Sequence, residues 1–212
     1  MPRIFLYSHT EGSTLLNMRI IIGLGNPGAE YEGTRHNTGR SALEYFRKTR
    51  DFPEWRFDKS LNAEVSEGKV GKEKVILARP NTFMNNSGRS AAKLVKSKKA
   101  AADLLVVYDD LDMPFGAMRF SYGRSSGGHN GVESVIRALK TRDFPRLRLG
   151  VSPATPSGKL KKPAGEKKVL DFLLGRFSKS EIVSLAKIFK KAGEAMEIAI
   201  SEGYQAGMNR FN

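Results

Sequence analysis

The sequence contains no cysteine. That excludes a disulfide framework, a thiol nucleophile and any zinc site with thiolate ligands. Histidine is nearly as scarce, with only His9, His36 and His129, so a metal site would need several carboxylate ligands as well, and none is expected. No apolar run reaches the roughly 20 residues that a helix needs to cross a bilayer, which reads as a soluble chain with no membrane partner. A reducing compartment such as the cytosol fits the lack of cysteine, although exported proteins can lack it too. Acidic residues are thin in one region. From Arg137 to Lys191 there are 15 Lys or Arg against 4 Asp or Glu, so this quarter of the chain supplies +11 of the total +14. A concentrated basic face attracts polyanions, and a solvated surface tuned for solubility would look the same.

The 212 residues, 40% hydrophobic and 27% charged, suit one globular domain with a sizeable core. Residues 1–17 read differently from the rest, with mixed polarity and a single acid, Glu11. They make a poor secretory signal and read as an over-long start before Met18 or as a weak organellar presequence, the first being preferred. The expected organisation is therefore an N-terminal extension, 1–17, and a single catalytic domain, 18–212.

Short β-branched runs predict strands at residues 19–24, 74–78, 104–108 and 147–151, with helices between them at 39–48, 88–96 and 131–140. That alternation indicates a single-domain, three-layer α/β/α fold around a twisted, largely parallel but mixed sheet. Ser178 and Glu181 have capping-box spacing. They open a long helix whose apolar stripe, Ile182, Leu185, Phe189, Met196 and Ile200, is expected in the core, with Gly203 as its stop. Residues 152–168, rich in Pro, Gly, Ser and Lys, read as a mobile basic loop.

Polar residues collect in four loops directly after apolar segments, where α/β folds build their sites. Residues 23–28 (GLGNPG) match the dinucleotide fingerprint G-x-G-x-x-G, but that motif needs a helix opening inside the loop. Pro27, Gly28, Gly33 and Gly39 oppose one. A nicotinamide-dependent oxidoreductase rests on this pattern alone. Residues 123–127 (GRSSG) match the nucleophile elbow G-x-S-x-G, whose triad runs Ser, acid, His. No histidine follows His129, only four residues beyond Ser125, which disfavours a serine hydrolase.

Taken in order, GLGNPGAEYEGTRHN, RPNTFMNNSG, YDDLDMPFG and GGHNG resemble the bacterial-type peptidyl-tRNA hydrolase family. The resemblance runs from about Arg19 to the closing GMNRFN. It implies an enzyme that cleaves the ester between a peptide and the 3′-terminal ribose of tRNA, without a cofactor, as a cytoplasmic monomer. A mitochondrial or plastid location follows instead if residues 1–17 are a presequence. The substrate, peptidyl-tRNA, would be held at its 3′ end and stem.

Ester hydrolysis needs an activated water, a holder for the developing oxyanion and a grip on the RNA. His36 is the best general base, its ordinary pKa being near neutrality. Alone it would read as a histidine satisfying a loop, but the family uses the matching histidine as proton acceptor. By resemblance Asp109 orients that histidine, where position alone would make it a strand-end turn cap; Asp110 and Asp112 are its near neighbours. Asn26, by resemblance, helps to tell a peptidyl from a free aminoacyl group, while Asn85 and Asn130 contact substrate. Each asparagine suits an oxyanion or a turn, and how they share the oxyanion is open. Asn37 and Asn86 read as turn or supporting residues, and His129 as supporting or structural.

Tyr31 and Phe83 match aromatic positions that would stack on the unpaired 3′ end; Phe83 could instead plug the core beside Met84. Arg148 and the lysines within 159–191 would hold stem phosphates. Arg124, Ser125 and Ser126 depart from the family's glycine-rich run, with consequences for that loop's mobility. One rival shares the motifs: a non-catalytic RNA-binding relative on the same fold, like plant organellar proteins that act in splicing.

Overall fold

The structure, a computed structural model, describes residues 19–212. The reading of residues 1–17 as an extension lies outside them. Seven strands form one sheet in the order β2-β3-β4-β1-β5-β7-β6. They are β1 (Arg19–Gly23), β2 (Arg56–Asp58), β3 (Ala63–Val70), β4 (Glu73–Pro80), β5 (Leu104–Pro114), β6 (Met118–Ser121) and β7 (Arg146–Ser152). The central four, β4, β1, β5 and β7, run parallel, and β2, β3 and β6 join antiparallel at the flanks. The expected mixed, largely parallel architecture is the one found.

Among the described residues six α-helices complete it: α1 (Thr38–Thr49), α2 (Gly88–Leu94), α3 (Asn130–Leu139), α4 (Glu166–Leu174), α5 (Lys179–Ser201) and α6 (Tyr204–Phe211). Successive side chains of a strand point to opposite faces, so the central strands are apolar on both. Ile21, Leu105, Val107 and Leu149 meet Leu43 and Phe46 of α1 and Phe189 and Met196 of α5. Ile20, Ile22, Val106 and Tyr108 meet Ala91 of α2 and Val132 and Val135 of α3. Among the described residues no helix is long and apolar enough to cross a membrane.

The capping box of α5 is complete: the Ser178 side chain accepts the Glu181 N–H, and the Glu181 carboxylate accepts the Ser178 N–H. Gly203, at φ 90°, follows its end. One member of the predicted stripe is misplaced. Ile182 is 56% exposed and belongs to none of the core clusters; burial begins at Leu185 and is full only from Phe189, where the helix lies against α1 and the sheet. The basic loop is also shorter than expected. Its last residues enter α4 at Glu166, because Val169, Phe172 and Leu173 pack with Val151 and Phe177 as a small separate core.

β5 differs most. Asp109 does not sit in a loop beyond a strand but at the sixth of eleven strand residues. Parallel pairing with β7 continues through Asp109↔Leu149 and Asp110↔Gly150, and resumes at Pro114↔Ser152 after an irregularity. The ladder thus carries an acidic stretch that propensity alone would end.

Candidate active site

Close packing brings the loops together. The Gly39 Cα, in the first turn of α1, approaches the Val107 and Leu24 carbonyls so nearly that a Cβ would collide with both. The chain entering α1 is thereby pressed onto the end of β1 and the middle of β5. The residues just before it form a short 3-10 turn, Arg35–Asn37, which delivers His36 to Asp109. No helix opens within residues 23–28; two 3-10 turns, Ala29–Tyr31 and Arg35–Asn37, precede α1, so the helix start that a dinucleotide fingerprint requires is not at this loop.

His36 Nδ1 lies 2.9 Å from Asp109 Oδ2. Asp109 is only 1% exposed and His36 6%. The second carboxylate oxygen, Oδ1, is 3.2 Å from His129 Nε2. His129 Nδ1 accepts the Val132 N–H at 3.2 Å as the N-cap of α3, which places its proton on Nε2, facing the carboxylate. A carboxylate is an acceptor only, so His36 donates from Nδ1 and its Nε2 carries the lone pair. One acid thus fixes two imidazole tautomers.

Burial alone would raise the Asp109 pKa, but the two histidines outweigh it by charge and hydrogen bonding and hold the carboxyl well below the usual carboxylate range. For His36, burial pulls the pKa down and is overcome by the Asp109 charge and hydrogen bond, so the net shift is upward. Tyr108 packs edge-on to His129, 4.8 Å between centroids. Burial, then the Asp110 charge, pushes its hydroxyl up to about 12, so it stays protonated near neutrality.

The Asn37 side chain accepts the Asn26 N–H at 2.8 Å and donates to the Asn26 carbonyl at 2.9 Å. Asn26 Oδ1 in turn accepts the Met84 N–H at 2.8 Å. These bonds tie three loops together and fix the side-chain oxygen toward Met84, leaving the Asn26 amide NH2 as a donor. Phe83 is 58% exposed while Met84 is buried, so Met84 is the plug and Phe83 stands free, its ring 6.3 Å from that of Tyr31 and edge-on. Asn85 and Asn130 are both exposed, beside Met84 and His129 respectively.

Arg148 lies elsewhere. It pairs with Asp110 at 2.6 Å in a groove of about 460 Å³ shared with Arg119 and Arg124, not with the lysines of residues 159–191. The wall of that groove is pinned by a residue sequence reasoning overlooked. Arg146, fully buried, donates to the Arg124 and Ser125 carbonyls at 2.7 and 2.8 Å and stacks over Phe144. Arg35 was overlooked as well: it joins the His36 turn to the Gly175 and Arg176 carbonyls and to Glu181. Arg119 was missed because β6 was not read as a strand.

The ligand atoms of His36, Asp109 and His129 lie within 4.8 Å of one another, a spacing that a divalent cation could share. The Val132 N–H argues for protons instead, because metal ligation through His129 Nε2 would turn a second N–H toward it. An α/β fold holding a buried imidazole–carboxylate pair beside free amide donors and exposed aromatic rings defines a hydrolytic enzyme of the water-activating type. The model of the peptidyl-tRNA hydrolase family matches residues 20–212, and the chain belongs to that family. Peptidyl-tRNA hydrolase of Alkaliphilus oremlandii is 39% identical over 196 residues, covering 92% of this chain and all of the relative. That of Bacillus cytotoxicus is 40% identical over 201 residues with the same coverage. The crystal structure of peptidyl-tRNA hydrolase from Acinetobacter baumannii superposes with a TM-score of 0.81 at 29% identity, over 95% of this chain and 97% of that one.

Proposed function

We propose that the chain hydrolyses the ester joining a peptide to the 3′-terminal ribose of tRNA, with His36 as general base. The observation that carries the reading is the Asp109 carboxylate shared between His36 Nδ1 and His129 Nε2, which leaves His36 Nε2 free to accept a proton. Water bound there loses a proton to Nε2 as its oxygen attacks the ester carbonyl. The resulting imidazolium is stabilised by Asp109 and returns the proton to the ribose oxygen as the tetrahedral intermediate collapses. The Asn26 NH2 supplies hydrogen bonds to acceptors, namely the oxyanion and the first peptide carbonyl. A free α-ammonium is a donor and gains nothing there, which favours peptidyl over aminoacyl substrates.

Tyr31 and Phe83 stack on the single-stranded 3′ end, Asn85 and Asn130 contact substrate, and the groove of Arg119, Arg124 and Arg148 takes backbone phosphates of the tRNA body. His129 supports the site through Asp109. Action as a cytoplasmic monomer belongs to the same reading, and sedimentation and cell fractionation test it.

The decisive assay is hydrolysis of an N-blocked aminoacyl-tRNA by the wild type and by His36→Ala, with unblocked aminoacyl-tRNA as control. Release from the blocked substrate alone, abolished in the variant while tRNA still binds, is expected. Tight tRNA binding without release by the wild type would make the chain a non-catalytic RNA-binding relative.

A further inference from the structure

The segment GMNRFN, residues 207–212, lies apart from the His36–Asp109 pair; its Met208 and Asn212 border the arginine groove, and it converges on one residue of β6. A Cβ on Gly207 would sit 2.7 Å from a ring carbon of Phe120, so only glycine lets α6 lie this close. The Phe211 ring stands 6.4 Å from that of Phe120. Asn212 Oδ1 accepts the Phe120 N–H at 2.7 Å, and Asn212 Nδ2 donates to the Phe120 carbonyl at 3.1 Å. β6 is an outer strand, whose far side would otherwise present unpaired backbone groups. Asn212 supplies there the two bonds that a neighbouring strand would make.

What this clasp holds in place is charged. Arg119, next to Phe120, is registered directly opposite Arg148 on β7. Like charges opposed on a sheet repel. Asp110 balances Arg148, but Arg119 has no acidic partner among the described residues. Left to itself, the short β6 would relieve the repulsion by splaying from β7, and α6 opposes that movement.

We propose that Asn212, together with Gly207, is a positioning residue for the tRNA body: it holds β6 so that Arg119 faces Arg148 across the groove. This rests on the reading of that groove as a phosphate surface. Asp109 lies on β5, two strands in from β6, and neither it nor His36 is bonded to the clasp, so the chemistry of ester cleavage does not depend on it.

The test compares full-length N-blocked aminoacyl-tRNA with an N-blocked aminoacyl ester of a CCA-length oligonucleotide. Asn212→Ala raises KM for the full-length substrate about five- to tenfold, as expected for losing a pair of ordinary hydrogen bonds. It leaves kcat within about twofold, and neither constant changes on the short substrate. Gly207→Ala, which pushes α6 off Phe120, gives the same split, and Asn212→Asp, still able to accept the Phe120 N–H, recovers part of it. Arg119→Ala and Arg148→Ala gauge the groove itself. If they leave the full-length KM unchanged, the groove reading fails, and this inference with it. If they raise KM while Asn212→Ala and Gly207→Ala do not, the groove stands and the role of Asn212 falls. Equal losses on both substrates, or a change confined to self-association on gel filtration, also overturn it, since Asn212 would then only maintain the fold or guard an edge.

Discussion

Replacing Asp109 by asparagine removes a charge and also poses a geometric choice that the structure resolves. The carboxylate accepts from His36 at Oδ2 and from His129 at Oδ1, whereas an amide has one acceptor and one donor end. His129 cannot readily accept from the donor end, because its Nδ1 is held by the Val132 N–H and its proton therefore stays on Nε2. The new amide must turn its oxygen to His129 and its NH2 to His36 Nδ1. That forces the His36 proton onto Nε2, the atom required as base. The expected loss in kcat is roughly ten-thousand-fold, about 5 kcal/mol, comparable with the wrong-tautomer penalty in hydrolytic triads. Adding His129→Ala frees the amide to rotate and restore the His36 tautomer. The double variant should therefore be faster than Asp109→Asn alone, by about tenfold or more, despite losing an N-cap worth about 1 kcal/mol to α3. Steady-state hydrolysis of N-blocked aminoacyl-tRNA, with folding checked by thermal melts, measures both. An Asp109→Asn enzyme within tenfold of wild type, or a double variant no faster than the single, would refute the reasoning.

The acid limb of the kcat/KM profile should lie above pH 6.5, because His36 must be neutral to act as base and Asp109 raises its pKa; a limb at or below that value counts against Asp109 as the dominant influence. If the basic groove grips tRNA, the logarithm of affinity should fall linearly with that of salt, with a slope of roughly 0.7–0.9 per phosphate engaged, and a flat response in filter binding would return this surface to solvated charge. Ser178→Ala breaks the capping box of α5 and should cost about 1 kcal/mol, lowering Tm by about 2–4 °C for a domain of this size, with activity unchanged at 25 °C. An unchanged melt would mean that the Glu181–Arg35 pair, 3.0 Å apart, anchors that end of the helix alone.

What could be read from the sequence were the features that repeat locally. The β-branched runs at β1, β4, β5 and β7 mark strands buried on both faces, and Ser178 with Glu181 marks a cap, because each signal lies within a few consecutive residues. The three-residue β2, β3 with the sequence AEVSEGKV and the four-residue β6 escaped notice since they are short or interleave polar with apolar residues, and none has the apolar run that distinguished the central strands. Asp109 escaped in a different way. Its residue type and position were legible, but its placement within a strand depends on β7, nearly forty residues later, extending the ladder past the apolar stretch.

The pairing of His129 was hidden for a related reason. As a lone histidine in GGHNG it could serve as an N-cap or as a partner to the site, and the structure shows that the two roles are one. Because its Nδ1 caps α3, its Nε2 must donate, and because Nε2 donates, one oxygen of Asp109 is committed. The other oxygen is then left to hold His36 alone in the tautomer that can accept a proton. The start of a helix on one side of the sheet thus determines which nitrogen of a histidine on another loop is free to act, a dependence that no local pattern of residues contains.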